Sequence, residues 1–542
     1  MNTSELIIKL LEENGVKHIF GHPGEQILLF YQALSNSKIK HILTRHEQGA
    51  VHAGDAYARV SGKFGVCIAT GGPGALNLVM GVATAFKDSI PMLVITGDNP
   101  KSSKEKNNFQ SVDLTAVFKP IVIKSFNPHN GKLAIMNIKE ALEILEKEPR
   151  GPVHINLSKD VLSDEDLGKV MDKKLIFSPN YEYGDLKKAI DALKKSRRPL
   201  IVAGAGIIWS EAIGDLEKFI YENKIPIATT YHSRGIIGEK NPLNLGMIGI
   251  RGSSIANYAL NNSDLLLILG SRLSERTLDF KKSFYNSSFL KNFKNHDTKV
   301  IHVNIDKSSL KGNIKIHGDV KIVLDKLNPL GRITSSMAKE WLDEIYKNNQ
   351  EIAIDGIDNN DLPLKPQVAI HEILKYSKGL HVVNDAGSHT TWVNLLIKPD
   401  IPQKLVYSGG MAPMGYGLPA SCGVAIAKGE RVILINGDGG FQMNIQELAT
   451  VKANNVPILI FVLNNSQLGV IRQGQKLLSE DLRYEVDLEN PDFVAIANAY
   501  GIEADKVETK EELRLAISKG LKLKKPYLVE VIVDEEDIPL PK

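Results

Sequence analysis

The stretch "RVILINGDGGFQMNIQELATVKANNVPILIFVLNNSQLG", residues 431–469, decides the fold. Its apolar run to Asn436 reads as a buried strand that ends in Gly437-Asp438-Gly439. "FQMNIQELATVKANN" has one apolar face at helical spacing, and "PILIFVLNN" is a second buried strand ending in Asn464-Asn465. Strand, crossover helix and strand make a β-α-β unit, which joins parallel strands. Ligands of an open parallel sheet sit outside the carboxyl ends of its strands. The unit therefore brings Asp438 and Asn465 to one edge if the two strands lie near each other. One carboxylate and one amide oxygen form a thin shell that suits Mg2+, which adds water, a backbone carbonyl and phosphate oxygens to reach six ligands. Gly437, Gly439 and Gly440 let the backbone approach phosphates with no Cβ in the way. Taken singly, Gly-Asp-Gly is a tight turn and Asn-Asn a strand end. Together, 27 residues apart at matched strand ends, they are far more specific.

The same alternation of short apolar strands and helices runs through most of the chain and predicts an α/β protein of three domains, each a parallel sheet flanked by helices. In the first block "FGVCIATGG" (64–72), "PMLVITGD" (91–98) and "GPVHINLSKD" (151–160) read as strands, with one helix over "ALNLVMGVATAFKDS" (75–89). The second has "RPLIVAGAGIIW" (198–209), "KIPIATT", "DLLLILGSR" and "KVIHVNIDK"; the third adds "HVVNDAG" and "YLVEVIVD". Polar stretches at 163–185 and 351–366 read as linkers. The resulting domains span 1–165, 185–330 and 366–542, with no strict internal repeat.

The 542 residues are too many for a single core, and 43% hydrophobic with 24% charged residues is the balance of a globular protein. Sixty-six basic against 63 acidic residues, mixed along the chain, leave no basic block suited to nucleic acid. The N-terminal "MNTSELIIKLLEENGVK" reads as an amphipathic helix, not a signal peptide, and no apolar run approaches the ~20 residues of a membrane helix. The only two cysteines, Cys67 and Cys422, sit in apolar or small-residue runs, which predicts packing roles and a reducing cytoplasm. In "TRHEQGAVHAGDAYARVSGK" (44–63), Glu47 opens a helix of small residues and by itself is an ordinary acidic first turn.

Several blocks together carry a resemblance. "FGHPGEQ" (20–26), "RHEQGAVHAGDAYAR" (45–59), "GVCIATGGPGALNLVMGVATAFKDSIPMLVITG" (65–97), "SGGMAPMGYGLPAS" (408–421), "GDGGFQMNIQELAT" (437–450) and "LNNSQLGVIRQ" (463–473) resemble, in order, the catalytic subunit of acetolactate synthases. Gly437-Asp438-Gly439 with Asn464-Asn465 looks like the thiamine diphosphate fingerprint. The resemblance covers essentially the whole chain and implies pyrimidine-binding, central and diphosphate-binding domains. It implies a catalytic Glu47 that hydrogen-bonds the cofactor's pyrimidine and helps to ionise the thiazolium C2–H. It implies Mg2+ held by Asp438, Asn465 and the Gln467 carbonyl, and a bent cofactor propped by Met414. The backbone near Ala412 would meet the pyrimidine amine, and Ser388 and His389 the diphosphate. On its residues alone His389 reads equally as a helix-start histidine, and Met414 as gap-filling core.

The resemblance places Phe109, Gln110 and Lys159 at the substrate entrance, but the pattern departs from the family there. Ser111 stands for an acidic residue, His22 for a tyrosine, Glu25 for a small residue, and Gly474 for the tryptophan that lines the acceptor channel. "LGMIGIRGSS" (245–254), "GSRLSER" (270–276) and "VNIDK" (303–307) resemble an FAD site through Gly249, Arg272, Arg276 and Asp306, although Ser274 replaces an aspartate. Related enzymes keep this domain with no nucleotide, so bound FAD and an empty domain both stay open. "GAGIIW" is not a nicotinamide fingerprint, because Trp209 fills the last glycine position. The implied activity is decarboxylation of a 2-oxo acid with transfer of the carbanion to a second carbonyl. The alternatives are a decarboxylase that releases aldehyde and a non-catalytic paralogue of the fold. The implied assembly is a homodimer or homotetramer with active sites between subunits.

Overall fold

The computed structural model describes residues 1–101, 108–166, 181–238, 240–249, 251–274, 298–327, 335–348, 357, 361–399 and 404–539. Among the described residues, three six-stranded sheets, all parallel, follow one another along the chain. The first holds β1 (His18–Gly21), β2 (Lys40–Leu43), β3 (Gly65–Ala69), β4 (Met92–Asp98), β5 (Lys124–Phe126) and β6 (Pro152–Ser158). The second holds β7 (Pro199–Ala203), β8 (Ile227–Thr229), β9 (Asn244–Met247), β10 (Leu265–Leu269), β11 (Lys299–Asn304) and β12 (Ile314–His317). The third holds β13 (His381–Asn384), β14 (Leu405–Val406), β15 (Val432–Gly437), β16 (Ile458–Asn464), β17 (Glu503–Val507) and β18 (Tyr527–Ile532). Helices cover both faces, so the central strands are apolar throughout; β3, β10 and β16 are buried along their whole length.

The first and third sheets share one strand order, β2-β1-β3-β4-β6-β5 and β14-β13-β15-β16-β18-β17. The two domains are therefore topological copies, a relation that no repeat in the sequence announces. The central sheet runs β12-β11-β10-β7-β8-β9. That is the doubly wound dinucleotide-binding order, with its switch point between β7 and β10. Among the described residues no helix is long and apolar enough to cross a membrane. Cys67 and Cys422 are free and fully buried, as packing residues should be. The linker expected over 163–185 and that over 351–366 lie mostly outside the described residues.

Two expected helices are broken. "ALNLVMGVATAFKDS" is two helices, Pro73–Asn77 and Val79–Asp88, because at Leu78 the backbone N–H bonds the Ala75 carbonyl and tightens the turn. After Asp438 the helix lasts only to Gln442; the chain turns at Asn444, whose side chain donates to the Gly415 carbonyl at 2.7 Å, and resumes helically at Leu448–Ala453.

The small residues of the helix Glu47–Ser61 serve a close packing. Everything from Gly49 to Val60 is buried, and the helix lies against Gly417–Lys428 of the third domain. A Cβ on Gly423 would stand 2.0 Å from the Ala53 carbonyl oxygen. Gly423→Ala should therefore force the helices apart and cost about 1–3 kcal/mol in a denaturant unfolding experiment; an unchanged midpoint would contradict this contact.

Candidate active site

Every residue singled out in the first domain stands at the carboxyl edge of its sheet. His22 follows β1, Glu47 follows β2, Phe109 and Gln110 lie between β4 and β5, and Lys159 follows β6. Glu47 is the first residue of its helix and half-buried. The preceding His46 caps the helix by accepting the Gln48 N–H on Nδ1 at 3.1 Å. Glu47 Oε2 accepts from the Asn77 side chain at 2.9 Å. A Cβ on Gly74 would sit 3.0 Å from Glu47 Oε1, so the loop after β3 approaches this carboxylate at backbone range. His22 Nδ1 is 2.8 Å from the Thr44 carbonyl, in the turn that leads to Glu47.

Gln110 adopts the left-handed φ of 59°, and its side chain accepts from Gln26 at 3.0 Å. Its carbonyl lies so near Gly72 that a Cβ there would come within 2.5 Å. Phe109 is 73% exposed. Lys159 Nζ pairs with Glu25 at 2.5 Å. The glutamate that departs from the expected small residue thus neutralises the lysine expected at the entrance.

In the third domain β15 and β16 are direct neighbours, so Asp438 and Asn465 follow adjacent strand ends. Asp438 is 2% exposed. Burial raises its pKa against the hydrogen bonds from Asn490 Nδ2 (2.7 Å) and the backbone, and no cation pairs with it among the described residues. A buried carboxylate with no cation fits a divalent ion. Asn465 Oδ1 accepts the Gln467 N–H at 3.2 Å, which turns the chain so that Asp438, Asn465 and Gln467 share one corner. Gly469 brings Ser388 there as well, since a Cβ at Gly469 would lie 3.0 Å from Ser388 Oγ. His389 packs over Gly437, where a Cβ would meet Nδ1 at 3.1 Å. Burial depresses the His389 pKa to about 3, so the ring is neutral, and its Nε2 has no partner among the described residues. The Met414 methyl would be 3.3 Å from a Cβ on Gly439, and Ala412 takes a left-handed φ of 51°. Gly474 lies on the helix Gly469–Leu478, whose Gln473 is bonded to Ile538.

Three residues here were not legible in the sequence. Asn490 bonds both Asp438 and Asn464 from 52 and 26 residues away. Asp385, fully buried, accepts the Gly415 N–H at 3.1 Å and the Gly417 N–H at 2.8 Å, which fixes the Met414 loop. Glu447 reaches from the third domain to the turn before Glu47. Only Glu447 left a trace, as a lone acid on the apolar side of its segment.

A cavity of about 520 Å3 opens at the carboxyl edge of the central sheet. Ala205 and Gly206 after β7, Gly270 and Arg272 after β10, and Asp306 after β11 line it, with Trp209 on one wall. It therefore sits at the switch point, where a doubly wound sheet takes a dinucleotide. Arg272 donates to the Lys87 carbonyl, and Asp306 accepts from the Ser308 N–H at 2.9 Å. Gly249, held by Asn257 through its N–H at 2.9 Å, is not on the cavity wall. Arg276 lies outside the described residues.

Family models match all three domains: thiamine pyrophosphate enzyme, N-terminal TPP binding domain, over residues 1–117; central domain over 186–327; and C-terminal TPP binding domain over 385–531. The chain belongs to the thiamine pyrophosphate (thiamine diphosphate) enzyme family. Within that class it is 37% identical to the probable acetolactate synthase large subunit of Methanocaldococcus jannaschii, covering 98% of this chain and 92% of that protein. It is 36% identical to the acetolactate synthase large subunit of Cyanidium caldarium over 97% of this chain and 92% of that protein, and 34% identical to that of Lactococcus lactis over 99% and 93%.

Proposed function

We propose that this enzyme uses thiamine diphosphate and Mg2+ to decarboxylate a 2-oxo acid and transfer the resulting carbanion to a second carbonyl, pyruvate to 2-acetolactate being the nearest case. The observation that carries the reading is the pairing of two acidic groups at equivalent edges of topological twins: Glu47 in the first domain and Asp438 in the third. The similarity to acetolactate synthase large subunits supports the carboligase assignment.

When bound, the cofactor supplies a nucleophilic ring carbon and accepts the charge left by CO2. Asp438, Asn465 and the Gln467 carbonyl would hold Mg2+, a cation that takes oxygen ligands and would offset the charge of a diphosphate. Ser388, His389 and the backbone of Gly437, Gly439 and Gly440 would receive the phosphate oxygens. Met414, whose loop is pinned through Asp385, would support the cofactor between its two ends, and the backbone near Ala412 would meet the pyrimidine amine. Glu47 would hold and return a proton at the pyrimidine nitrogen, the work of a placed carboxylate. His22, Phe109, Gln110, Lys159 and Gly474 border the substrate.

The site is shared between two subunits in this reading. Among the described residues Leu43, Leu76, Phe109, Met411 and Met443 are large apolar side chains left exposed, and each lies within a few residues of a site residue. Exposed apolar side chains of this kind are what a subunit interface would cover. Incubation of the enzyme with pyruvate, thiamine diphosphate and Mg2+ is expected to yield acetolactate, identified by NMR. Acetaldehyde without acetolactate would instead favour simple decarboxylation, the reading motivated by Gly474, His22 and Ser111.

The central cavity is proposed to take FAD, which Arg272 and Asp306 on its wall would help to hold. Because Trp209 lines the cavity, titration of the protein with FAD should quench tryptophan fluorescence saturably at one flavin per chain. No quenching at high flavin concentration would leave the domain without a nucleotide.

A further inference from the structure

The turn that presents Glu47 is held from the third domain of the same chain. Glu447, buried in the segment after Asp438, accepts the Arg45 N–H on Oε1 and Oε2 at 3.0 and 3.3 Å and the His46 N–H on Oε1 at 2.9 Å. Thr450 donates to its Oε2 at 2.5 Å. A Cβ on Gly49 would lie 2.5 Å from Glu447 Oε1, so glycine in the first helical turn is what admits the carboxylate. N–H groups at a helix start have no intrahelical acceptor, and a negative group there is favoured by the helix dipole. One side chain thus fixes the backbone of the two residues before Glu47.

We propose that Glu447 is a positioning residue that aims the Glu47 carboxylate, and so tunes the active site to which its own chain lends Glu47. The inference rests on the reading that sites are shared between subunits. In a dimer of that kind, Glu447 belongs to the domain that holds one cofactor but acts on the Glu47 that serves the other. The two sites are then joined by one buried carboxylate in each chain.

The first test needs no cofactor. Amide hydrogen exchange of the apo protein should show Glu447→Ala losing protection over residues 43–50, while the bulk of the third domain keeps its rates. Glu447→Gln, which retains an oxygen able to accept from Arg45 and His46, should recover most of the protection. It also serves if the alanine variant does not fold. Unchanged protection in both variants would overturn the proposal.

With cofactor bound, Glu447→Ala should slow C2 hydrogen exchange about 10- to 100-fold, the cost of a small misplacement. Hybrid dimers, purified with two tags, then locate the effect. A control hybrid of Glu47→Gln with Asp438→Ala should keep one intact site. Glu447→Ala paired with Asp438→Ala should match that control, because both defects fall in the same site. Glu447→Ala paired with Glu47→Gln should be slow at its remaining site. The reverse pattern, or loss in both pairings, would refute the assignment. An inactive control would refute shared sites alone and leave the amide-exchange result to decide the role of Glu447.

Discussion

Replacing Glu47 by Gln is expected to leave thiamine diphosphate bound while slowing exchange of its C2 hydrogen by about 10^2- to 10^4-fold, the usual yield of a placed acid or base. The substitution is isosteric, so the helix Glu47–Ser61 keeps its start: His46 still caps Gln48, and Glu447 still holds Arg45 and His46. What is lost is a group that can take and return a proton. The amide can still accept from Asn77 through its oxygen, so local structure should survive. Exchange followed by NMR in D2O, with bound cofactor measured in parallel, separates the two effects. An unchanged exchange rate would remove Glu47 from its role.

Arg59→Ala is expected to be the most destabilising substitution outside the site, at about 3–5 kcal/mol. Arg59 links the first and third domains, and through Asp88 the central one. Its guanidinium bonds Asp55 at 2.6 and 3.2 Å, Asp88 at 2.7 Å and the Tyr407 carbonyl at 3.3 Å. Asp88 also faces His232 of the central domain at 3.2 Å and accepts the Gly410 N–H at 2.8 Å, and Tyr416 donates to Asp55 at 2.7 Å. Removing the cation leaves two buried carboxylates with too little compensation. Burial already raises the Asp55 pKa in the parent, and without the cation Asp88 should rise too, so the folded variant binds more protons than the unfolded chain. Its stability should accordingly fall as pH increases, and the deficit against the parent should be larger at pH 8 than at pH 5. Chemical denaturation at the two pH values measures this; an equal deficit at both would mean that the carboxylates are not what the substitution strands.

The strands that could be read from sequence are the ones covered on both faces. "CIA", "LLLIL" and "ILIFVLN" are uninterrupted apolar runs because helices bury both sides. The edge strands β2, β5, β9, β12, β14 and β17 are short or mixed in character, as "KHIL" and "EADKV" illustrate, and periodicity does not reveal them. Much the same divides the site. Asp438 and Asn465 could be brought together from sequence since one β-α-β crossover fixes their spacing, whereas Glu47 alone read as an acidic helix start and was singled out only by the family resemblance. Asn490, Asp385 and Glu447 were not legible, because their partners lie far along the chain or in another domain. The twin topology of the first and third domains was likewise hidden, for strand order leaves no mark on composition.

Everything else depends on Asp438 and Glu47 reading the two ends of one cofactor. Calorimetric titration of the protein with thiamine diphosphate, with and without Mg2+, tests this most directly. The expected result is saturable binding of one cofactor per chain that requires Mg2+, is lost in Asp438→Ala and persists in Glu47→Gln. No binding of thiamine diphosphate in the presence of Mg2+ would contradict the assignment.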